Sequence, residues 1–385
     1  MAAKILILLL IKHFLQRNII FVTKIQSFQL ALLFILLLLH TMPTKKNIVF
    51  IMNPISGTVS KAGIPAIIEK HLDKEKFSYT IECTQYAGHA TEIANNAKQR
   101  GTDIVVAVGG DGTINEVGRA LTQSDTALGI IPCGSGNGLA RHLMLPMDIK
   151  KCIDIINLCN IHELDYGIID SHPFFCTCGM GFDAFISMKF AQAGKRGPVT
   201  YLENVLKEGI RYEPETYEIT APEFHVKQRA FLVSCANASQ YGNNAYIAPQ
   251  ASMSDGLLDV IVMDPFDMLD APQISIDMFN KTLNKNAKIK TFKATHLEVH
   301  REKTGYIHYD GDPTTAPADI SIDIVSKGIK VVVNPFAKKS RRQPNMVQNA
   351  FCEFFNDLSA MRTDITKQTK HIQSINKLLL KKLNK

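Results

Sequence analysis

Hydrophobic and polar positions follow two rhythms along this 385-residue chain. From about residue 47 to 160, short apolar runs at 47–52, 77–84, 103–108 and 127–131 alternate with amphipathic stretches at 61–72, 89–100, 113–122 and 148–159. Apolar runs separated by helical periodicity predict the βαβ units of a parallel sheet. From about 164 onward, β-rich runs at 216–220, 228–236, 257–263, 290–299 and 320–333 dominate. A helical interruption at 184–210 carries the loop Gly194-Lys-Arg-Gly-Pro198, and the rest predicts a β-sandwich. The expected organisation is an α/β domain at 45–163 and a β domain at 164–336. A dubious or anchoring extension at 1–44 precedes them, and a basic helical extension at 337–385 follows.

Three apolar runs of the first half end in polar turns. Asn53-Pro-Ile-Ser-Gly57 follows the first, Gly109-Gly-Asp-Gly-Thr-Ile-Asn115 the third, and Pro132-Cys-Gly-Ser-Gly-Asn-Gly138 the fourth. Glycines let backbone N–H groups approach an anion closely, and a helix starting just after the turn adds the positive end of its dipole. Asp111 either holds Mg²⁺ or orients a reacting hydroxyl. Gly-Asp-Gly also builds ordinary tight turns. Three such junctions within ninety residues suit the crevice at the carboxyl ends of parallel strands, where open α/β sheets bind ligands.

Asn53-Pro-x-Ser-Gly57, Gly109-Gly-Asp-Gly-Thr-x-Asn-Glu116 and Gly134-Ser-Gly-Asn-Gly-Leu-Ala-Arg141 occur in that order, followed by Ser254-Asp-Gly-Leu-Leu-Asp259 and Tyr309-Asp-Gly-Asp-Pro313. Over roughly residues 45 to 335 the chain therefore resembles the catalytic domain of diacylglycerol and sphingosine kinases, especially their bacterial lipid kinase relatives. The resemblance implies a Rossmann-like nucleotide-binding domain and a β-sandwich lipid-binding domain. It implies ATP-dependent phosphorylation of a lipid hydroxyl, with ATP contacts at Asn53, Ser56, Gly57, Thr84, Gly109, Gly110, Asp111, Gly112, Thr113, Ile114, Asn115, Gly134, Ser135 and Asn137. It makes Asp310 the proton acceptor, and it aligns Ser252, Asp255 and Leu257 with a structural Mg²⁺ loop that uses one carboxylate and two carbonyls. Two departures stand out. Asp312 replaces the more usual Glu, and Asn137-Gly138 stands where many glycerolipid kinases carry Asn-Asp, which moves the chain toward the sphingosine-like or another branch.

Phosphoryl transfer needs alignment and charge neutralisation more than covalent help, and a carboxylate beside the hydroxyl takes its proton late. Asp310 is either that base or a solvated turn residue, and Asp255 either a metal ligand or part of a common Ser-Asp-Gly turn. Asp183 and Asp165 fall where the nucleotide domain passes into the lipid domain. Asp183 either hydrogen-bonds a substrate hydroxyl or amine, or caps the helix that follows it. Arg141 either approaches phosphate or pairs with a carboxylate.

Charge is concentrated at the ends. Residues 1–46 hold six Lys/Arg and no acids, and residues 338–385 hold eleven against three, so an overall +7 leaves the intervening chain at −7. An acidic body argues against a nucleic-acid partner, whereas basic tails suit an anionic membrane surface or simple solubility. The apolar run at 28–39 is shorter than the roughly 20 residues needed to span a bilayer. The expectation is a cytoplasmic enzyme, peripheral at the inner membrane face, translated from Met42 or carrying an N-terminal anchor or signal segment. Eight cysteines form no Cys-x-x-Cys pair, and Cys176 and Cys178 are expected on one strand face. Positions 354, 358, 361, 365, 368, 372, 375 and 379 make a heptad seam, for a homodimeric coiled coil, a membrane surface or self-docking. Two alternatives accompany the lipid kinase reading: an NAD kinase-like enzyme, which shares the Gly-Gly-Asp-Gly turn, and a lipid-binding protein without catalysis.

Overall fold

The computed structural model describes Lys12 and residues 45–54, 61–193, 212–267 and 270–337. The unit that begins at Lys46 opens with β1 (Lys46–Met52), α1 (Ile64–His71), β2 (Phe77–Cys83), α2 (His89–Gln99), β3 (Ile104–Gly109), α3 (Asp111–Leu121), β4 (Ala127–Pro132), α4 (Gly138–His142) and α5 (Ile149–Leu158). The first four strands are parallel in the order β2-β1-β3-β4. Ile104 to Val108 are wholly buried, because helices cover both faces of this sheet, and that is why the run reads as continuously apolar. On α2, Ala90, Ile93, Ala94 and Ala97 form the inward stripe at helical spacing.

One predicted boundary moves with consequence. The helix expected from residue 113 begins at Asp111, with Gly110 as its N-cap, so the motif carboxylate belongs to the first helical turn.

The second half continues through β5 (Ile161–Ile169), β6 (His172–Phe174), β7 (Thr177–Gly181), α6 (Phe182–Ala193), β8 (Glu215–Ala221), β9 (Phe224–Ala230), β10 (Leu232–Ala236), β11 (Gln240–Gly242), β12 (Ala245–Tyr246), β13 (Leu258–Met263), α7 (Ala271–Asn280), β14 (Ile289–Ala294), β15 (His296–Arg301), β16 (Gly305–Tyr309), β17 (Asp312–Ala316) and β18 (Asp319–Val332). Strands β14-β13-β10-β7-β16-β17 form a six-stranded sheet, antiparallel in every pairing. It packs through Cys178, Val233, Val260 and Ile307 against Tyr217, Leu297 and Ile320 of β8, β15 and β18. The α/β-plus-sandwich architecture is thus present, with one difference in how its halves join. Strand β18 returns beside β4 (Val331 opposite Leu128) and pairs with β5, so one ten-stranded sheet runs through the expected boundary at 163 and 164.

Two runs read as single strands are corners. Run 228–236 divides at Phe231, where the chain leaves β8's partner β9 and enters the other sheet as β10. Run 290–299 divides at Thr295 between β14 and β15, which lie in different sheets. A strand that switches sheets keeps its β-forming residues, so hydrophobicity does not mark the bend. The shared face expected for Cys176 and Cys178 is also corrected. Strand β7 starts at Thr177, so Cys176 packs into the first core and Cys178 into the sandwich core. The N-terminal extension, the 194–198 loop and the heptad seam lie outside the described residues.

Candidate active site

The carboxyl ends of β1, β2, β3 and β4 meet along one edge. Asn53 donates its N–H to the Val108 carbonyl at 3.2 Å, Thr84 to Met52 at 2.9 Å, and Cys133 to Gly109 at 2.7 Å, which holds the strand ends in step. Asn53 Nδ2 also donates to Thr113 Oγ1 at 3.4 Å, and Lys61 Nζ donates to the Asn53 carbonyl. Lys61 is 5% exposed, and burial lowers its pKa. Ser56 and Gly57 lie outside the described residues.

The second and third glycine turns touch backbone to backbone. A Cβ on Gly134 would stand 2.7 Å from the Gly110 Cα, so two glycines are needed where the loops cross. Asp111 then latches them: its Oδ2 accepts from the Asn137 N–H at 2.8 Å and its Oδ1 from the Gly138 N–H at 2.7 Å. Burial raises the Asp111 pKa, opposed by those two amides. Asn137, in the left-handed region at φ 52°, folds back so that its Oδ1 accepts from the Gly134 N–H and its Nδ2 donates to the Gly134 carbonyl. Sequence reasoning placed Asp111 and Asn137 on the ligand; the structure shows that both shape the loops.

Other predicted contacts divide by exposure. Thr84, Thr113, Ile114 and Asn115 are buried, and the Ile114 N–H is taken by the Gly110 carbonyl. Gly112 and Ser135 are exposed at the turn tips. The first turn of α3 has N–H groups without intrahelical acceptors, which is where an anion gains most. Glu116, from the same motif, instead accepts the Gly88 and Ala90 N–H groups and caps α2.

The candidate base sits across from these loops. Asp310 (φ 55°) and Gly311 (φ 85°) are the two central residues of the hairpin between β16 and β17, the positive-φ pair a type I′ turn requires. The carboxylate is held by backbone amides: Oδ1 accepts from Cys176 N–H at 2.7 Å and Thr177 N–H at 3.2 Å, and Oδ2 from Phe175 N–H at 2.8 Å. Burial raises the Asp310 pKa, opposed by the nearby Arg119 charge and those amides.

Arg119, which sequence reasoning missed, ties this turn to the nucleotide half. From α3 it donates to Asp312 Oδ2 at 2.8 Å, to the Pro173 carbonyl at 3.1 Å and to the Tyr309 carbonyl at 3.3 Å, with its guanidinium 4.6 Å from the centre of the Tyr309 ring. Asp312, in place of the family's Glu, is therefore an anchor for Arg119. Arg119→Met is expected to lower unfolding free energy by about 1–3 kcal/mol through loss of the hydrogen bonds to Asp312 and to the Pro173 and Tyr309 carbonyls, and Arg119→Lys to recover little because an ammonium lacks the fork. Urea unfolding of both variants measures this; wild-type stability in Arg119→Met would show the bridge to be inert.

The remaining candidates separate. Asp183 opens α6, with Oδ1 on the Ala184 N–H at 2.8 Å and Oδ2 facing Tyr241 and His308. Arg141 Nε donates to the Gly136 carbonyl at 2.8 Å, which stiffens the third loop. Asp165 is 2% exposed and accepts the N–H groups of Gly256 and Lys327 at 2.8 Å each, so its carboxylate fastens the 253–256 turn to the bulge in β18. Asp255 accepts from Lys293 Nζ at 2.8 Å, and Lys293 also reaches Asp259 at 3.0 Å.

His142, just after the third loop, accepts the Ser239 N–H at 3.1 Å through Nδ1, and burial lowers its pKa to about 4. It is a neutral joint between the halves that no spacing in the sequence marked.

The model of the diacylglycerol kinase catalytic domain matches residues 47–169, and that of the YegS C-terminal NAD kinase beta sandwich-like domain matches 177–333. A protein of Escherichia fergusonii named "Probable lipid kinase YegS" is 30% identical over 271 residues, covering 69% of this chain and 89% of that protein. The chain belongs to the YegS lipid kinase family. A YegS-like relative from Pectobacterium atrosepticum is 27% identical over 252 residues, covering 64% of this chain and 83% of its own length. The fold of a diacylglycerol kinase from Bacillus anthracis superposes with a TM-score of 0.59 at 21% identity, covering 76% of this chain and 97% of that one. As a lipid kinase the chain requires a nucleotide phosphoryl donor and an acceptor hydroxyl. Among the described residues, no helix is long and apolar enough to cross a membrane.

Proposed function

We propose that this lipid kinase transfers the γ-phosphate of ATP to the hydroxyl of a diacylglycerol, a sphingoid base or a related lipid, working at the inner face of a membrane. The observation that carries the reading is the latch of Asp111 across two crossing glycine turns, because it builds a backbone cradle at the carboxyl ends of parallel strands. In that cradle the phosphates lie against the first turn of α3 and the exposed Gly112 and Ser135. Asn53 and Thr84 border it on the neighbouring strand ends.

Asp310 receives the acceptor's proton through the Oδ2 lone pair that Phe175 leaves open. Arg119 holds its turn at the right distance from α3. Asp183, partly exposed at the start of α6, binds a polar group of the acceptor. Mg²⁺ bound with the nucleotide would neutralise charge on the phosphates. The carbonyls of Ser252 and Leu257 with the Asp255 carboxylate would supply oxygen ligands to a second Mg²⁺, which would compete with Lys293 for Asp255. The basic ends would draw the chain to anionic lipid.

Labelled γ-phosphate supplied as Mg-ATP with a mixed lipid extract is expected to appear in lipid, and the labelled species names the substrate. Label appearing in NAD would favour the NAD kinase-like alternative, and nucleotide binding with no transfer would favour a silent lipid-binding role. Without nucleotide, Mg²⁺ is expected to raise the melting temperature by a few degrees if it occupies the Asp255 loop. No rise would leave Lys293 as that loop's only cation.

A further inference from the structure

Between α6 and the six-stranded sheet lies an apolar layer, with Phe182 and Ile186 from the helix and Leu232, Ala236 and Ile261 from the strands among others, interrupted at one row. Across β10, β7 and β16, Ser234, Gly179 and His308 stand directly opposite one another. Gly179 leaves the space in which the Asp183 carboxylate lies, since a Cβ there would be 2.5 Å from Asp183 Oδ2. That same oxygen accepts from the Tyr241 hydroxyl at 3.2 Å and is 3.0 Å from His308 Nε2. His308 is 2% exposed, and apart from this contact neither ring nitrogen finds a hydrogen-bond partner. A buried imidazole so poorly satisfied is costly, and such groups persist where function requires them.

The row is close to the reaction centre by two routes. His308 lies near the end of β16, two residues before Asp310 in the turn that follows. The Tyr241 carbonyl packs on Gly138 of the third loop, 3.2 Å from where a Cβ would be. Beside the row, Tyr212 makes ring contacts with Phe182, Phe185 and Phe231, an apolar wall continuous with it.

We propose that His308 is a positioning residue for the acceptor lipid, holding Asp183 over Gly179 so that its carboxylate receives a hydrogen-bond donor next to the reacting hydroxyl. The donor is a second hydroxyl or an ammonium. Among the described residues, His308 is the one basic side chain within ion-pair distance of Asp183. A carboxylate in that setting favours donors and disfavours anions. Diacylglycerol, with carbonyls rather than a donor beside its hydroxyl, is a poorer fit than a long-chain 2-amino-1-alcohol or 1,2-diol. The inference rests on the lipid kinase reading with Asp183 on the acceptor side.

The test is a double-mutant cycle on the full chain, with ATP and three acceptors: a long-chain 2-amino-1-alcohol, a long-chain 1,2-diol and diacylglycerol. His308→Leu is expected to raise the acceptor KM at least tenfold while the ATP KM stays within twofold. His308→Gln, which keeps an N–H on that side, is expected to recover most of the loss. In an Asp183→Asn background, His308→Leu is expected to add less than twofold, because the residue it positions is already changed.

Equal effects in both backgrounds, an unchanged acceptor KM, or wild-type transfer to diacylglycerol alone would overturn the proposal. If His308→Leu does not fold, Tyr241→Phe at the partly exposed rim is run through the same cycle, with an expected three- to tenfold coupling. Transfer by the wild type to none of these or any other lipid, despite ATP binding, would instead sink the lipid kinase reading itself.

Discussion

Asp310→Asn is expected to lower kcat by about 10²- to 10⁴-fold, the usual contribution of a positioned general base, while leaving ATP affinity nearly intact. The geometry adds a second expectation. All three groups facing the carboxylate are N–H donors, so either orientation of the asparagine amide turns its NH₂ toward at least one of them. A buried donor left without an acceptor costs about 1–3 kcal/mol, and the melting temperature should fall with the rate. Steady-state kinetics, ATP titration and thermal unfolding on the same preparation separate the two effects. A lowered melting temperature with wild-type turnover would make Asp310 a clasp for its turn and remove it from the chemistry. Because burial raises its pKa, the acid limb of the kcat profile should lie above the ordinary carboxylate range: the base must be ionised, so activity falls as pH drops through the raised value. The Arg119 charge opposes that rise, so Arg119→Met should move the limb to higher pH still.

Gly134→Ala and Gly112→Ala should affect the nucleotide site in different ways. At Gly134 the new methyl would meet the backbone of Gly110 at 2.7 Å and the Asn137 side chain at 2.9 Å. Neither neighbour is the flexible end of a long side chain. The loops must part, the Asp111 latch loosens, and overpacking of this kind costs about 1–3 kcal/mol, so both stability and ATP binding should drop. At Gly112 a Cβ meets nothing within 4 Å, and alanine inside a helix is more favourable than glycine by up to about 1 kcal/mol. The Gly112→Ala protein should therefore be at least as stable as wild type. If phosphate lies against this turn, the methyl projects into its place and the ATP KM should rise roughly tenfold or more, by crowding a close backbone contact. Calorimetric ATP binding paired with melting curves reads both variants. A stabilised Gly112→Ala enzyme with unaltered ATP affinity would place the phosphates elsewhere.

Much of the nucleotide half was legible because its signals are local. Burial on both faces of β3 makes 104–108 continuously apolar, and glycine-bearing turns follow three of the four parallel strands. The roles of the same residues were less legible. Asp111 and Asn137 carry polar side chains in a phosphate-binding pattern, but sequence cannot show that their partners are the backbones of the neighbouring loop. Asp183 was singled out, whereas His308, Tyr241 and Ser234 were not, since they come from three separate strands and share no spacing with it. Arg119 lies 193 positions from Asp312 and reads in the sequence as one more cation on an amphipathic helix.

By itself, then, the amino-acid order determined the βαβ rhythm, the strand-rich second half, the glycine turns and the acidic turn at residue 310, together with the family they mark. Each depends on backbone propensity or on residues within a few positions of one another. Tertiary structure alone decided that β18 returns to fuse the halves into one sheet, that Asp111 locks two loops, that Asp310 is clasped by amides and that His308 faces Asp183. Those outcomes depend on which distant segments meet when the cores close, and burial there changes what a carboxylate or imidazole can do far more than its neighbours in sequence reveal.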